Sequence, residues 1–172
     1  MVSTGGSAVP EFAERGFRWI KETVALIYAH HKHPVPMVAL IFMYAETLGK
    51  PLAVAAGKTP DTKNKVCAFT EAYLPKLWVA LAAHPNRADI LGNHYRNGLA
   101  HELFMKGNAG IHEGGSDYVI SAPSIPCSVN IDLLVPEFLE GLAAYYARLG
   151  SDAAFVRIFN EQLGDEERVQ KP

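Results

Sequence analysis

Apolar positions recur at helical spacing along most of the chain. Between Glu11 and His31, the residues Ala13, Phe17, Ile20, Val24, Ile27 and Tyr28 fall on one face, while Glu14, Arg18, Lys21 and Glu22 take the others. This pattern predicts an amphipathic helix. His30, His31 and Lys32 close it where cations suit the negative end of a helix dipole, and Pro34 stops it. Pro36 is expected to open a second helix, where its missing N–H costs nothing. Met37, Leu40, Ile41, Tyr44 and Leu48 form one stripe there, and Val38, Phe42 and Met43 fill the remaining faces. A helix apolar nearly all round belongs in the middle of a bundle. Gly49 and Pro51 read as its end.

Lys50 to Asn64, with Gly57, Pro60, Asp61 and Thr62, reads as a polar connection carrying Lys50, Lys58 and Lys63, with Lys65 just beyond. Val66 to Ala83 predicts a third helical region broken at Pro75. A fourth helix starts near His84-Pro85-Asn86 and is expected to end near Lys106-Gly107. The texture then changes. Glycines, prolines and the alternating Tyr118-Val119-Ile120 and Val129-Ile131 runs between Gly107 and Asn130 predict a short hairpin or extended excursion. Helical spacing returns from Asp132 to Leu149 through Leu134, Phe138, Leu142 and Tyr145, with Gly150 as cap. Ser151 then reads as the N-cap of a last helix ending near Gly164. The expected fold is all-α: an up-and-down antiparallel helical bundle with a short irregular or β-hairpin insertion after the fourth helix. One domain over 1–172 is expected, with its helical body at about 11–163 and a flexible tail over 164–172.

Composition narrows the function without naming it. Hydrophobic residues make up 49% and charged residues 20%, an ordinary globular balance with material for a core. A formal net charge of −2 leaves no global attraction for nucleic acid, so any grip on phosphates has to be local. Cys67 and Cys127 are the only two cysteines, lie far apart, and make neither a disulfide framework nor a CxxC site; a reducing, cytoplasmic setting follows most simply. The segment Val35 to Leu48 contains Glu46 and is too short to span a membrane, and the first residues lack the pattern of a signal peptide.

The fourth helix carries the candidate chemistry. At an α-helical 100° per residue, His94, Asn97 and His101 share one stripe with Ile90 and Phe104, and Leu91, Tyr95, Gly98 and Leu99 form a neighbouring apolar stripe facing the core. Arg96 lies roughly 140° around the axis from His101. One straight helix therefore cannot aim both at a small target, which favours a site at a helix–helix or subunit contact. Asn97 and Gly98 are poor helix formers, so something other than propensity keeps them there.

The string Tyr95-Arg96-Asn97-Gly98-Leu99-Ala100-His101-Glu102 resembles the RNxxxH (more generally R-x4–6-H) signature of the HEPN superfamily of all-helical domains. The resemblance covers about residues 11 to 149 and leaves 107–130 outside the family pattern. It implies a metal-independent endoribonuclease that works as a homodimer, with the motif helices of two subunits forming a composite cleft. Carried over residue by residue, Arg96, Asn97 and His101 match the catalytic positions. His101 would move a proton at the ribose 2′-hydroxyl or the leaving 5′-oxygen, and Arg96 would hold the phosphate and its developing charge. Asn97 would bond the phosphate or orient His101. The products would be a 2′,3′-cyclic phosphate and a 5′-hydroxyl, with no cofactor. Lys106, His94 and His112 are the candidate substrate-binding residues. The family also holds inactive members, so the alternative expectation is a noncatalytic module that binds a protein or nucleotide, as one half of a toxin–antitoxin or defence pair.

Other motifs carry less. His30-His31-Lys32-His33 has the residue types of a metal cluster, but neighbouring histidines on a helix point apart and no carboxylate or cysteine stands at ligand spacing. A solvated helix end accounts for it. His112 with Ser116-Asp117 lacks the context of a nucleophile elbow, and no Walker loop or dinucleotide fingerprint is present.

Overall fold

The computed structural model describes residues 9–31, 34–98, 109–122 and 125–164. The first helix, α1 (Glu11–His31), has the expected bounds and buries Ala13, Phe17, Ile20 and Val24. The second, α2 (Pro34–Ala55), begins at Pro34 rather than Pro36 and runs on past both expected stop signals. Packing overrides them. A Cβ on Gly49 would lie 1.8 Å from the Lys65 carbonyl oxygen, so this glycine admits the backbone of the next helix instead of ending its own. Pro51, Leu52 and Ala53 are buried beyond it, which holds the last turn helical although Pro51 donates no hydrogen bond. The 22 residues of α2 are thus long and apolar enough to cross a membrane, and the expected shortness is corrected. Its most apolar window is 61% buried inside the protein, as the core reading required.

The polar connection shrinks to 56–61, since Lys50 belongs to α2 and Lys63 and Lys65 to α3 (Thr62–Tyr73). Asp61 caps α3 by accepting from the Asn64 N–H at 2.8 Å. Leu74 and Pro75 break the helical region as predicted. α4 (Pro75–Ala80), with a 3₁₀ turn over Leu81–Ala83, leaves α3 at 110°. Among the described residues the N-cap of α4, Leu74, makes no side-chain cap; the buried Glu137 accepts from the Lys76 and Leu77 N–H groups at 2.6 and 3.3 Å.

A short helical turn, α5 (Arg87–Asp89), leads into a π-helix over Ile90–Asn97. The sheet that follows has the order β1-β3-β2, from β1 (Ala109–His112), β2 (Val119–Ala122) and β3 (Ile125–Asn130). β2 and β3 pair antiparallel, as the hairpin reading expected; β1 adds a parallel edge that it did not. Gly114 and Gly115, at φ of 72° and 78°, make the left-handed turn after β1 that side chains rarely adopt.

α6 (Ile131–Ser151) starts at the cap of the fully buried Asn130 and buries Leu134, Phe138, Leu142 and Tyr145. It runs through Gly150 to Ser151. The last helix, α7 (Ala153–Leu163), takes its cap from Asp152 rather than Ser151, whose hydroxyl instead bonds back to the Ala147 carbonyl. The protein is mostly helical around one core, with the small sheet inserted before α6. An aromatic cluster of Phe17, Phe69, Tyr73, Phe138, Tyr145 and Phe155 binds α1, α3, α6 and α7 together. Of the expected tail over 164–172, only Gly164 is among the described residues.

Candidate functional site

The π-helix changes the geometry read from the sequence. Its hydrogen bonds span five residues, as the Gly98 N–H bonding to the Asn93 carbonyl shows, so each residue advances less than the α-helical 100°. π-turns are rare and recur at functional sites. The described part of the expected apolar stripe holds nonetheless: Leu91 and Tyr95 are fully buried, Gly98 is buried, and Ile90 joins them, while Leu99 lies outside the described residues. Tyr95 stacks on Phe42 of α2 with ring centroids 5.4 Å apart. Its hydroxyl donates to the Gly110 carbonyl at 2.7 Å, with the Cys127 carbonyl at 3.2 Å, and so ties the π-helix to β1 and β3. Burial pushes the ionisation of Tyr95 far up, so it remains a donor.

On one flank of this helix stands Arg96. Its Nε donates to Oε2 of Glu46 on α2. The other carboxylate oxygen accepts from Lys65 Nζ at 2.6 Å and from the Thr62 hydroxyl at 3.0 Å. The side chains of Glu46, Arg96 and Lys65 retain 12%, 17% and 19% of their exposure, so two cations and one carboxylate share a largely desolvated place. Burial alone would raise the Glu46 carboxyl. The bonds from Lys65, Thr62 and Arg96 outweigh it and hold the group below the usual carboxylate range. Arg96 Nη1 is buried with no hydrogen-bond partner among the described residues.

On the other flank a polar ladder runs down the helix. Lys63 of α3 pairs with Asp89. Asn93 Nδ2 donates to Asp89 Oδ1 at 3.2 Å, and Asn97 Nδ2 donates to Asn93 Oδ1 at 3.4 Å. His94 and Asn97 are half-buried. Three of the lysines expected in or beside the loop are therefore engaged: Lys63 and Lys65 on carboxylates, and Lys50 on the Gln162 carbonyl at 2.9 Å.

His112 stands on β1 with both ring nitrogens engaged. Nε2 lies 3.3 Å from the Asp117 carbonyl and Nδ1 lies 3.1 Å from the Ser128 hydroxyl. A carbonyl only accepts, so Nε2 carries a proton and, in the neutral ring, Nδ1 accepts from Ser128. This histidine braces the Gly114–Gly115 turn. Nearby, Asp132 accepts from the Gly114 N–H at 2.8 Å and the Tyr28 hydroxyl at 2.9 Å. Beside them opens a cavity of about 510 Å³ whose described lining includes Tyr28, Met37, Glu113 and Asp132, and neither Arg96 nor Asn97. Its carboxylates do not suit a phosphate.

The described residues thus bring Arg96, Asn97 and His94 onto one helix, whereas His112 serves its own loop. His101 and Lys106 lie outside the described residues. Among the described residues no group of three or more histidine, cysteine, aspartate or glutamate side chains is placed to hold a metal ion, and both cysteines are buried, free thiols. Sequence reasoning did not assign Glu46, Thr62, Lys65, Asp89 or Asn93. Glu46 had a signal: a single carboxylate in the apolar stretch from Pro34 to Leu48 has to find a partner on burial. Compared with family models, with curated proteins and with solved structures, the chain matches none of them.

Proposed function

We propose that this chain is a HEPN-like helical domain that cleaves RNA without a metal, through Arg96, Asn97 and His101. One observation carries the reading. Arg96 is held by its Nε on Glu46 while its Nη1 has no hydrogen-bond partner among the described residues. An unsatisfied guanidinium nitrogen is costly, and a phosphate oxygen is the acceptor it fits best. In this reading the ribose 2′-oxygen attacks phosphorus, the 5′-oxygen leaves, and His101 serves as the proton carrier. Arg96 stabilises the charge gathering on the phosphate. The reading includes an antiparallel bundle, a homodimer through the motif helix, and a cytoplasmic setting.

A second reading rests on the same ion cluster. Glu46 joins α2 to α3 and to the π-helix through Lys65, Thr62 and Arg96, a purely structural task for the arginine. A noncatalytic module that binds a protein or nucleotide, in a toxin–antitoxin or defence pair, would need no more. The deciding experiment incubates wild-type and His101→Ala protein with labelled RNA in excess EDTA and determines the product termini. Cyclic phosphate ends that vanish in the variant support the nuclease. RNA left intact by pure wild-type protein, or cut equally by His101→Ala, overturns it.

A further inference from the structure

The ladder on the outer flank of the π-helix has a direction, and the direction restricts what Asn97 can bind. It begins at α3. A Cβ on Gly92 would lie 2.8 Å from Lys63 Cγ and 3.2 Å from its Cα, so the glycine lets Lys63 settle against the helix, where its ammonium group pairs with Asp89. A carboxylate only accepts hydrogen bonds. Asn93 must therefore turn its Nδ2 toward Asp89, as it does at 3.2 Å, and this turns its Oδ1 toward the next rung. Asn97 answers with its Nδ2 at 3.4 Å. In a pair of asparagines without an anion at one end, either amide orientation serves equally. Here Asp89 breaks the tie. The Oδ1 of Asn97 is left on the side away from Asn93, on a half-buried residue next to Arg96.

A carboxamide oxygen repels a phosphate oxygen and accepts from a hydroxyl. Resting on the RNA-cleaving reading above, we propose that the Asp89–Asn93–Asn97 chain presents Asn97 Oδ1 as an acceptor for a ribose 2′-hydroxyl, and so selects RNA over DNA at this site. Asn97 is the specificity-determining residue, and Asp89 and Asn93 are positioning residues that act through it. The 2′-hydroxyl is the one group by which a ribose differs from a deoxyribose, and it can donate. A deoxyribose leaves the acceptor unpaired, which amounts to about a tenfold loss of affinity.

The test uses the full chain in a His101→Ala background, which keeps the RNA whole, with fluorescent single strands of one sequence in ribo and deoxyribo form and EDTA present. The expected result is a roughly tenfold preference for the ribo strand. Asp89→Ala and Asn93→Ala should narrow this preference toward one by weakening ribo binding alone, while Asp89→Glu, which keeps the acceptor, restores much of it. A merely structural role would move both strands together. The side-chain amide resonances of Asn93 and Asn97 in the free protein provide a second readout, and both should shift in Asp89→Ala. Equal affinity of the parent protein for the two strands, or a preference unchanged in Asp89→Ala, overturns this proposal and leaves the nuclease reading standing. Failure to bind either strand overturns both, and the amide resonances then report whether the ladder exists on its own.

Discussion

Two lysines two residues apart on α3 serve opposite flanks of the same helix, and their surroundings decide what each is worth. Lys65 reaches inward to Glu46, beside Arg96, where the side chains keep less than a fifth of their exposure. Lys63 reaches outward to Asp89, where lysine and aspartate keep 46% and 44%. In water the outer pair gains little, because solvent and salt screen it. The inner cluster has lost most of its hydration, so removing one member strands the others. Similar ion pairs thus take different parts: the inner one joins elements together, and the outer one orients a chain of amides.

The sharpest way to break this contrast is Glu46→Ala, which leaves Arg96 and Lys65 as neighbouring, desolvated cations. We expect a loss of about 3 kcal/mol in urea unfolding, and a far smaller one for Lys63→Met, whose pair is solvated. A comparable loss in the two variants would erase the distinction. Next in size is Gly49→Ala. Its new methyl group would overlap the Lys65 carbonyl, pushing α3 off α2 and costing about 2 kcal/mol by the same measurement. If this substitution proves neutral, the close approach of the two helices is not needed for the cluster.

The third prediction uses pH. The Glu46 carboxyl titrates lower in the folded chain than its unfolded value of about 4.3, so its stabilisation is complete above that value and lost as pH falls through the folded one. The stability gap between wild type and Glu46→Gln should therefore be flat near neutrality and close progressively below about pH 4. A gap independent of pH down to acid unfolding would show that charge is not what Glu46 supplies. The smallest effect belongs to Lys63→Met. Its deficit should fade further in high salt, because the pair it breaks is solvated, whereas the Glu46→Ala deficit should change little.

Much of this arrangement was legible in the sequence, and the failures share a cause. The bounds of α1, the break at Pro75 and the buried stripe of Leu91 and Tyr95 followed from local signals that the packing reinforces. Gly49 and Pro51 gave an equally clear local signal for a helix end, and packing contradicted it: the glycine is there for the backbone of α3. The wider winding of Ile90–Asn97 was invisible to a reading that assumes 100° per residue. The parallel pairing of β1 with β3 joins segments that no alternation pattern connects. In the candidate site the arginine and asparagine were found by motif, and their partners were not. Glu46, Lys65 and Asp89 come from other elements or from the preceding turn, and only the fold brings them into contact.

The first turn of α3 holds a consequence for how errors would combine. Thr62, Lys63 and Lys65 fall within four residues, behind a single cap at Asp61, and they serve both flanks of the π-helix. Among the described residues Glu46 and Asp89 pair with no common side chain, yet both depend on that turn keeping its place. Variants that fray it, such as Asp61→Ala, should make the two flanks fail together, and the coupling would appear as non-additivity in a double-mutant cycle between residues that never meet.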